Sequence, residues 1–552
     1  MKKLLLFTFF LVIQISYAYA QVPFWSWSHA MGGQNYDVGS GIASDHNGNV
    51  VTCGYYYDDT LFVNPDTLLC SGSDDFYLSK YTSFGNLIWT RKEGSIGDDY
   101  AISVSCDAVG NSYVTGYFIS DTLIIGTDTM INHTSSYSDI FLAKYDQNGN
   151  PVWAQSFGGG SWDIGQSVWV DVNSGNVYLA GCYYDSTLTL GTYNFANAGA
   201  YDILLAKFDP NGNVIWADHS GGISNDMGNA VTTDNNGNVF ISGGFMSASI
   251  SFGTGTLVNA NASIPDIFVA KYDANGTNLW AHRAGGTDND HSVCVAADLS
   301  GSVYVSGHFH STSFPFASGN VVNHGMGDFY LLKYDANGNE MWGRSAGGMM
   351  HDFGYAVAVD GNNDIYVSGM FNSDTVFVGA DMVLNSSPGT QDMILMKFDQ
   401  FGNNLWALSA GGTGDDELNS IAIDDLNAVY LTGDWRSPTL GIGTQNYTNT
   451  DSTIGYADIL VGKIDFYLGV TENDLNGNSF GVFPNPSNGK FTLNGIENNS
   501  RVEIYNSTGQ LIFSEDNFKQ GERIDISDQP DGIYLIKIKT DNKILSQKIV
   551  KS

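Results

Sequence analysis

Short apolar runs rich in Val, Ile, Tyr and Phe alternate along this chain with clusters of Asp, Asn and Gly, and the pattern recurs seven times. Its clearest marks are Trp27, Trp89, Trp153, Trp216, Trp280, Trp342 and Trp406, spaced by 62, 64, 63, 64, 62 and 64 residues. An Asp follows each Trp by ten residues: Asp37, Asp99, Asp163, Asp226, Asp290, Asp352 and Asp416. Another follows by eighteen: Asp45, Asp107, Asp171, Asp234, Asp298, Asp360 and Asp424. A Gly then closes an apolar stretch in each copy, from Gly54 through Gly116, Gly181, Gly243, Gly307 and Gly369 to Gly433. After 21 to 25 residues of variable sequence comes Asp with Lys five residues on, as in Asp266 and Lys271.

Each unit predicts four short strands, which in the fifth are residues 292–297, 303–308, 329–334 and 340–344. β-Branched and aromatic residues suit such strands, and several runs are apolar at successive positions, as in sheets covered on both faces. Turns such as Asp335-Ala-Asn-Gly-Asn339 join the third and fourth strands, Asn-Gly supplying the positive φ of a tight hairpin. A period of this length with strand content points to a radial array of small sheets. The ends of the chain bear on closure. The third strand of the seventh unit runs from residue 458 to 465 and no Trp strand follows, whereas residues 25–29 form a Trp strand with no three strands before it. Pairing the two hides both edges. The expected fold is all-β: a seven-bladed β-propeller closed by an N-terminal strand and followed by a small C-terminal β-sandwich.

Units of the form Trp-x4-Gly-Gly, Asp-x-x-Gly-Asn-Val-Tyr-Val-x-Gly and Asp-Ile-Phe-Leu-Ala-Lys-Tyr-Asp resemble the SBBP family of bacterial β-propeller repeats over residues 24–465. Gly94-Ser95 departs from the double glycine, and Asn363-Asp364 and Asn427-Ala428 depart from Gly-Asn, which puts local turn type in question. The resemblance implies an architecture and no particular activity.

Residues 1–20 read as a secretory signal: Lys2-Lys3, an apolar run over 4–13, and Ala18-Tyr-Ala20 as cleavage site. No stretch reaches membrane-spanning length. The propeller is expected over 21–468, a polar linker over 469–478 and a separate module over 479–552. Residues 21–477 hold 12 Lys and Arg against 49 Asp and Glu, and seven of the basic residues are the repeat lysines. Nucleic acid and anionic membranes are therefore poor partners, because phosphate binding needs clustered cations. Cys53, Cys70, Cys106, Cys182 and Cys294 fall at non-equivalent positions and read as small buried hydrophobes, with a Cys53–Cys70 disulfide as the alternative.

The last module opens with Pro484-Asn485-Pro486 and Gly489. It continues through Gly509 and the strand of Gly532 and Tyr534, and ends in the basic strand of Lys548. These features are similar to the C-terminal sorting domain of the type IX (Por) secretion system of Bacteroidetes. The resemblance implies engagement of that machinery, passage across the outer membrane, and release or surface attachment.

Candidate chemistry is sparse. The seven Asp ten residues after each Trp enter the first strand, where seven carboxylates at one mouth would suit calcium. The competing reading has each bond the backbone of its own Gly-Gly loop or a repeat Lys. His308 and His310 share a strand face, as a metal pair would, but no ligand set completes them. No nucleophile elbow, phosphate loop or assignable carboxylate pair is present. Trp162, Trp169 and Trp435 stand outside the repeat register. Trp162 and Trp435, with Tyr56 and Tyr184, are the candidate ligand contacts on the face of the variable loops, core packing being the competing reading. The expected protein is an exported, non-catalytic monomeric binding or structural module for a glycan or surface protein, without cofactor unless calcium binds. The alternatives are a secreted polysaccharide hydrolase or lyase and a calcium-stabilised scaffold.

Overall fold

Each of the first six repeats folds into one antiparallel sheet in which four strands lie in chain order, and the seventh supplies three strands of such a sheet. The computed structural model describes residues 22–57, 60–134, 136–317, 319–379, 381–443, 445–450, 455–467, 481–483, 487, 489–494, 500–506, 511–519, 521–530, 532–539 and 544–551. The predicted signal over 1–20 and the linker over 469–478 lie outside these. In unit one the strands are Asp37–Ser44, Asn49–Tyr57, Asp74–Thr82 and Leu87–Glu93. In unit five they are Asp290–Ala297, Val303–Phe309, Asp328–Tyr334 and Glu340–Ala346, each reaching up to two residues beyond the expected limits. Second and third strands are buried along nearly their whole length, which explains their unbroken apolar runs.

The sequence reading missed one element. The variable segment between second and third strands forms a two-stranded hairpin in every unit, for example Thr122–Ile125 with Asp128–Ile131. Four residues per strand alternate, so Leu123 and Ile125 are buried while Ile124 faces solvent.

The repeat residues serve the joints between units. Trp153 Nε1 and Lys144 Nζ both donate to the carbonyl of Pro210 in the following unit, at 3.2 and 3.1 Å. Trp216 and Lys207 do the same to Ala274, and Trp280 and Lys271 to Ala336. The strand Val22–Met31 is the outer strand of the sheet formed by Asp416–Ile423, Val429–Trp435 and Asp458–Tyr467. From it Trp27 Nε1 donates to Ser83 of unit one at 2.9 Å, matching the other units. First strands pack against those of the preceding and following units, and Asp37–Ser44 packs against Asp416–Ile423.

Two repeat features have local causes. Each first strand carries a bulge at its fourth residue, for example Ser40, Tyr355 and Asn419, where the register with the second strand slips by one. Opposite it, a Cβ on Gly433 would lie 1.9 Å from the Glu417 carbonyl oxygen, so the position after the apolar run admits only Gly. The turn departures leave the turns intact. Asn363 and Asn427 adopt φ of 63° and 64°, as Gly48 and Gly110 do at the equivalent place, because Asn tolerates the left-handed region. All five cysteines are free, so the Cys53–Cys70 alternative is not formed.

The C-terminal residues form a second compact unit. A three-stranded sheet (Gly481–Phe483, Lys490–Asn494, Arg523–Asp525) and a four-stranded sheet (Leu511–Phe518, Ser500–Asn506, Gly532–Lys539, Ile544–Lys551) enclose one core. It includes Phe491, Leu493, Ile504, Ile524 and Ile536. Among the described residues no helix is long and apolar enough to cross a membrane.

Candidate functional site

The seven Asp that open the first strands are structural ties. Asp226 accepts the N–H groups of Gly222, Met246 and Ser247 at 2.8, 3.0 and 3.0 Å and the Ser247 hydroxyl at 2.6 Å. Asp290, Asp352 and Asp416 repeat this set, while Asp37, Asp99 and Asp163 hold the equivalent loop amide. Burial raises Asp99 to about 7 and Asp416 to about 6, against these hydrogen bonds. Of the two readings weighed for these residues, the hydrogen bonds match the second: each carboxylate accepts an amide of the loop before its own strand. The repeat lysines lie at the other end, where Lys80 Nζ is 2.8 Å from Asp45. The Asp-x-Asn-Gly-Asn loops are turns closed on themselves. In the variant at Asp273, the N–H groups of Thr277 and Asn275 hold the carboxyl below its ordinary value.

Against this uniform frame, the second residue of the first strand and its cross-strand partner differ in every unit. The pairs are Val38/Tyr55, Tyr100/Tyr117, Ile164/Cys182, Met227/Gly244, His291/His308, Phe353/Met370 and Glu417/Asp434. In units one and two, Tyr55 meets Tyr100 edge-on at 4.6 Å, Tyr117 lies 4.9 Å from Tyr100, and the Tyr100 hydroxyl donates to Asp74. In unit seven, Asn419 Nδ2 donates to Asp434 at 2.7 Å, and Tyr355 hydrogen-bonds Glu417. Burial, then the charge of Glu417, raises Asp434 to about 7, and burial raises Glu417. In unit five, His308 stacks on Phe353 at 4.0 Å, with His291 at 5.0 Å and His310 at 5.9 Å; His351 is 5.4 Å from His310. Burial and these neighbouring rings lower His308 to about 3, so the cluster's centre is neutral at pH 7.

Just outside this set, the loop before the first strand and the residue after the second are joined by backbone bonds, as from Tyr184 N–H to the Trp162 carbonyl at 3.0 Å. Trp162 is half-buried and meets Tyr137 edge-on at 5.7 Å; Tyr184 is 43% exposed and meets Tyr201 at 5.2 Å. Tyr36 lies 4.9 Å from Tyr456 beneath the guanidinium of Arg436. Two expected contacts are corrected. Trp435 and Tyr56 are fully buried, so neither can meet a surface ligand. They pair with Asp416 and Asp37, the place held by Phe118, Tyr183, Phe245, Phe309 and Phe371 elsewhere. An aromatic two residues after each repeat Gly was the signal available in the sequence. Trp169 instead lies on a first strand, with Nε1 2.9 Å from Thr233 Oγ1. The opposite face also carries exposed aromatics, Phe84 and Phe401, at its turn tips.

In the C-terminal unit, the Tyr534 hydroxyl donates to the Pro530 carbonyl at 2.5 Å. Gly532 opens its strand, Gly489 takes φ of 88°, and Lys548 lies in the last strand. Pro484, Asn485, Pro486 and Gly509 fall outside the described residues. Residues 481–552 match the family model for the secretion system C-terminal sorting domain. The tail thus indicates delivery by type IX secretion, to the cell surface or beyond it. Over 540 residues the chain is 24% identical to an uncharacterized WD repeat-containing protein of Acanthamoeba polyphaga mimivirus, covering 80% of this chain and 38% of that protein. Over 295 residues it is 26% identical to the regulatory protein FlaEY of Caulobacter vibrioides, covering 50% and 29%. The chain thus spans well under half the length of both relatives. Among solved structures it is similar to Sqt1 from Chaetomium thermophilum (10% identity, 75% and 97% covered, TM-score 0.34). It is also similar to PorZ, a surface component of the type-IX secretion system of Porphyromonas gingivalis (12% identity, 93% and 81% covered, TM-score 0.23). At such scores neither likeness carries an argument.

Proposed function

We propose that residues 22–467 form a seven-bladed propeller of SBBP-type repeats, closed by the strand Val22–Met31, which the tail delivers as a non-catalytic binding module. The ligand face is the end where first strands begin and second strands end. The observation that carries this reading is the contrast between uniform structural positions and varied pairs at that end: tyrosines in units one and two, histidines in unit five, acids in unit seven. The side chains that make the joints and turns recur from unit to unit, whereas these pairs change chemical class as well as size. Tyr184 and Trp162 on the rim offer flat apolar area with a polar edge, suited to a glycan or a protein surface.

A polysaccharide hydrolase or lyase is the second reading. Its support is Asp434, raised to about 7 beside Glu417, since an acid holding its proton near neutrality can serve as proton donor. A glycan-array screen of the purified chain, run beside a polysaccharide-degradation screen, separates the two. Retention without product supports a binding module; product formation abolished by Glu417→Gln or Asp434→Asn supports the enzyme.

A further inference from the structure

In five units the Asp that opens the first strand receives a hydroxyl from the residue four positions after the repeat Gly. Ser120, Ser247, Ser311, Ser373 and Ser437 donate to Asp99, Asp226, Asp290, Asp352 and Asp416 at 2.6 to 2.8 Å. Unit three places Asp185 there instead, a carboxylate with no hydroxyl to give, whose Oδ2 is buried without a hydrogen-bond partner among the described residues. Asp163 is inaccessible to solvent and Asp185 nearly so. Space is closed as well: a Cβ on Gly159 would come within 2.2 Å of Asp185 Oδ2. A serine always has a proton to give, whereas two carboxylates can bond each other only if one keeps its proton.

The titratable and charged groups around the pair offer no substitute for that proton. Asp139 opens the third strand of unit two and is occupied by His133, whose Nδ1 lies 2.7 Å away. Cys182 and Tyr183 come from the second strand of unit three, and Tyr201 and Asp202 from the start of its third. None of these brings a free cation. We infer that Asp163 and Asp185 share a single proton in the folded protein, and that this proton positions Trp162 and Tyr184 on the ligand face. Burial first, then the bond to and charge of Asp185, raises Asp163 to about 9.

The link to the ligand face is direct, and it rests on the reading of that face given above. Asp163 accepts the Tyr184 N–H at 3.0 Å and the Gly159 N–H at 3.1 Å, and the Trp162 carbonyl accepts the Tyr184 N–H. The loop before the first strand and the segment after the second therefore hang from one carboxyl group. Loss of the shared proton puts two buried negative charges in contact and drives them apart, loosening both aromatics. Among the described residues the five serine units lack this dependence. Because the folded-state value lies above the ordinary 3.8, the proton's stabilisation is complete below about pH 4 and is lost as pH rises toward about 9.

The test is hydrogen–deuterium exchange on the full chain from pH 6 to pH 10, following residues 158–163 and 182–186 with residues 221–226 and 244–248 of unit four as internal reference. The wild type is expected to lose protection in unit three, relative to unit four, by roughly tenfold for the pH unit above the point where the proton leaves. Asp185→Ser, which restores the sister arrangement, and Asp185→Asn, which cannot ionise, should both hold the ratio constant. Equal pH profiles for wild type and Asp185→Ser would overturn the proposal. So would protection abolished at pH 7 by a chelator and restored by calcium, because a cation would then bridge the pair. The readout needs no ligand, so the shared proton stands or falls apart from the ligand-face reading.

Discussion

Trp435 separates a core residue from a ligand contact more sharply than any other position. It is fully buried, and its Nε1 has no hydrogen-bond partner among the described residues. Trp435→Ala removes a whole buried indole, which costs about 3–5 kcal/mol in a packed core. For the unit Pro23–Asp465, unfolding entropy of about 2.1 cal/mol/K per residue converts about 4 kcal/mol into a fall of roughly 4 °C in Tm. Trp435→Phe should behave otherwise. Phe118, Phe245, Phe309 and Phe371 already occupy the equivalent place, so the surrounding frame accepts a phenyl ring. The change also removes a buried N–H whose unmet hydrogen bond costs about 1–3 kcal/mol, offsetting the lost apolar area. Differential scanning calorimetry of the three proteins should rank wild type and Trp435→Phe within about 2 °C of each other, with Trp435→Ala clearly below. A Phe variant as damaged as the Ala variant would refute the register argument, and an undamaged Ala variant would refute the burial.

Removing residues 22–31 takes the outer strand from sheet seven together with the bonds from Trp27 to Ser83 and from Tyr447 to Ser28. The shortened chain should melt several degrees lower and self-associate through the bared edge, as gel filtration would show. Deleting residues 479–552 should leave the repeat unit folded in the periplasm; normal surface display of that truncation, by protease accessibility, would contradict the sorting assignment. Asp434→Asn should stabilise the protein increasingly with pH. The folded value of about 7 lies above the ordinary 3.8, so the wild type gives up stability across that interval while the amide does not. The difference in Tm should be smallest near pH 4 and full by pH 8, and a difference independent of pH would sink the argument.

Much of the fold was legible because its joints use one residue type in every unit. From Trp27 to Trp342 and from Lys80 to Lys333, Trp and Lys donate across the boundary to a turn carbonyl, so their spacing reports the repeat directly. The hairpins escaped notice because four alternating residues, as in Thr122–Ile125, lie inside the stretch whose length varies. Trp435 and Tyr56 were misread because the buried aromatic beside each first-strand Asp changes identity among Phe, Tyr and Trp. The candidate site was the least legible part. Glu417 faces Asp434, and His291 faces His308, only once the bulge has fixed which residues lie opposite. Tyr355 joins Glu417 across a unit boundary that no sequence spacing announces.

The central claim is that the protein works by binding at the end where the first strands begin. The measurement that tests it most directly is affinity for the glycan retained in the array screen, by isothermal titration calorimetry. Wild type would be compared with Tyr184→Ala and Trp162→Ala on that end, and Phe84→Ala and Phe401→Ala on the other. All four are aromatic side chains, so the comparison isolates the face. The account predicts a loss of about 1–3 kcal/mol for each of the first two, with Tm unchanged, and none for the last two. Loss at Phe84 or Phe401 with Tyr184 and Trp162 indifferent would contradict it.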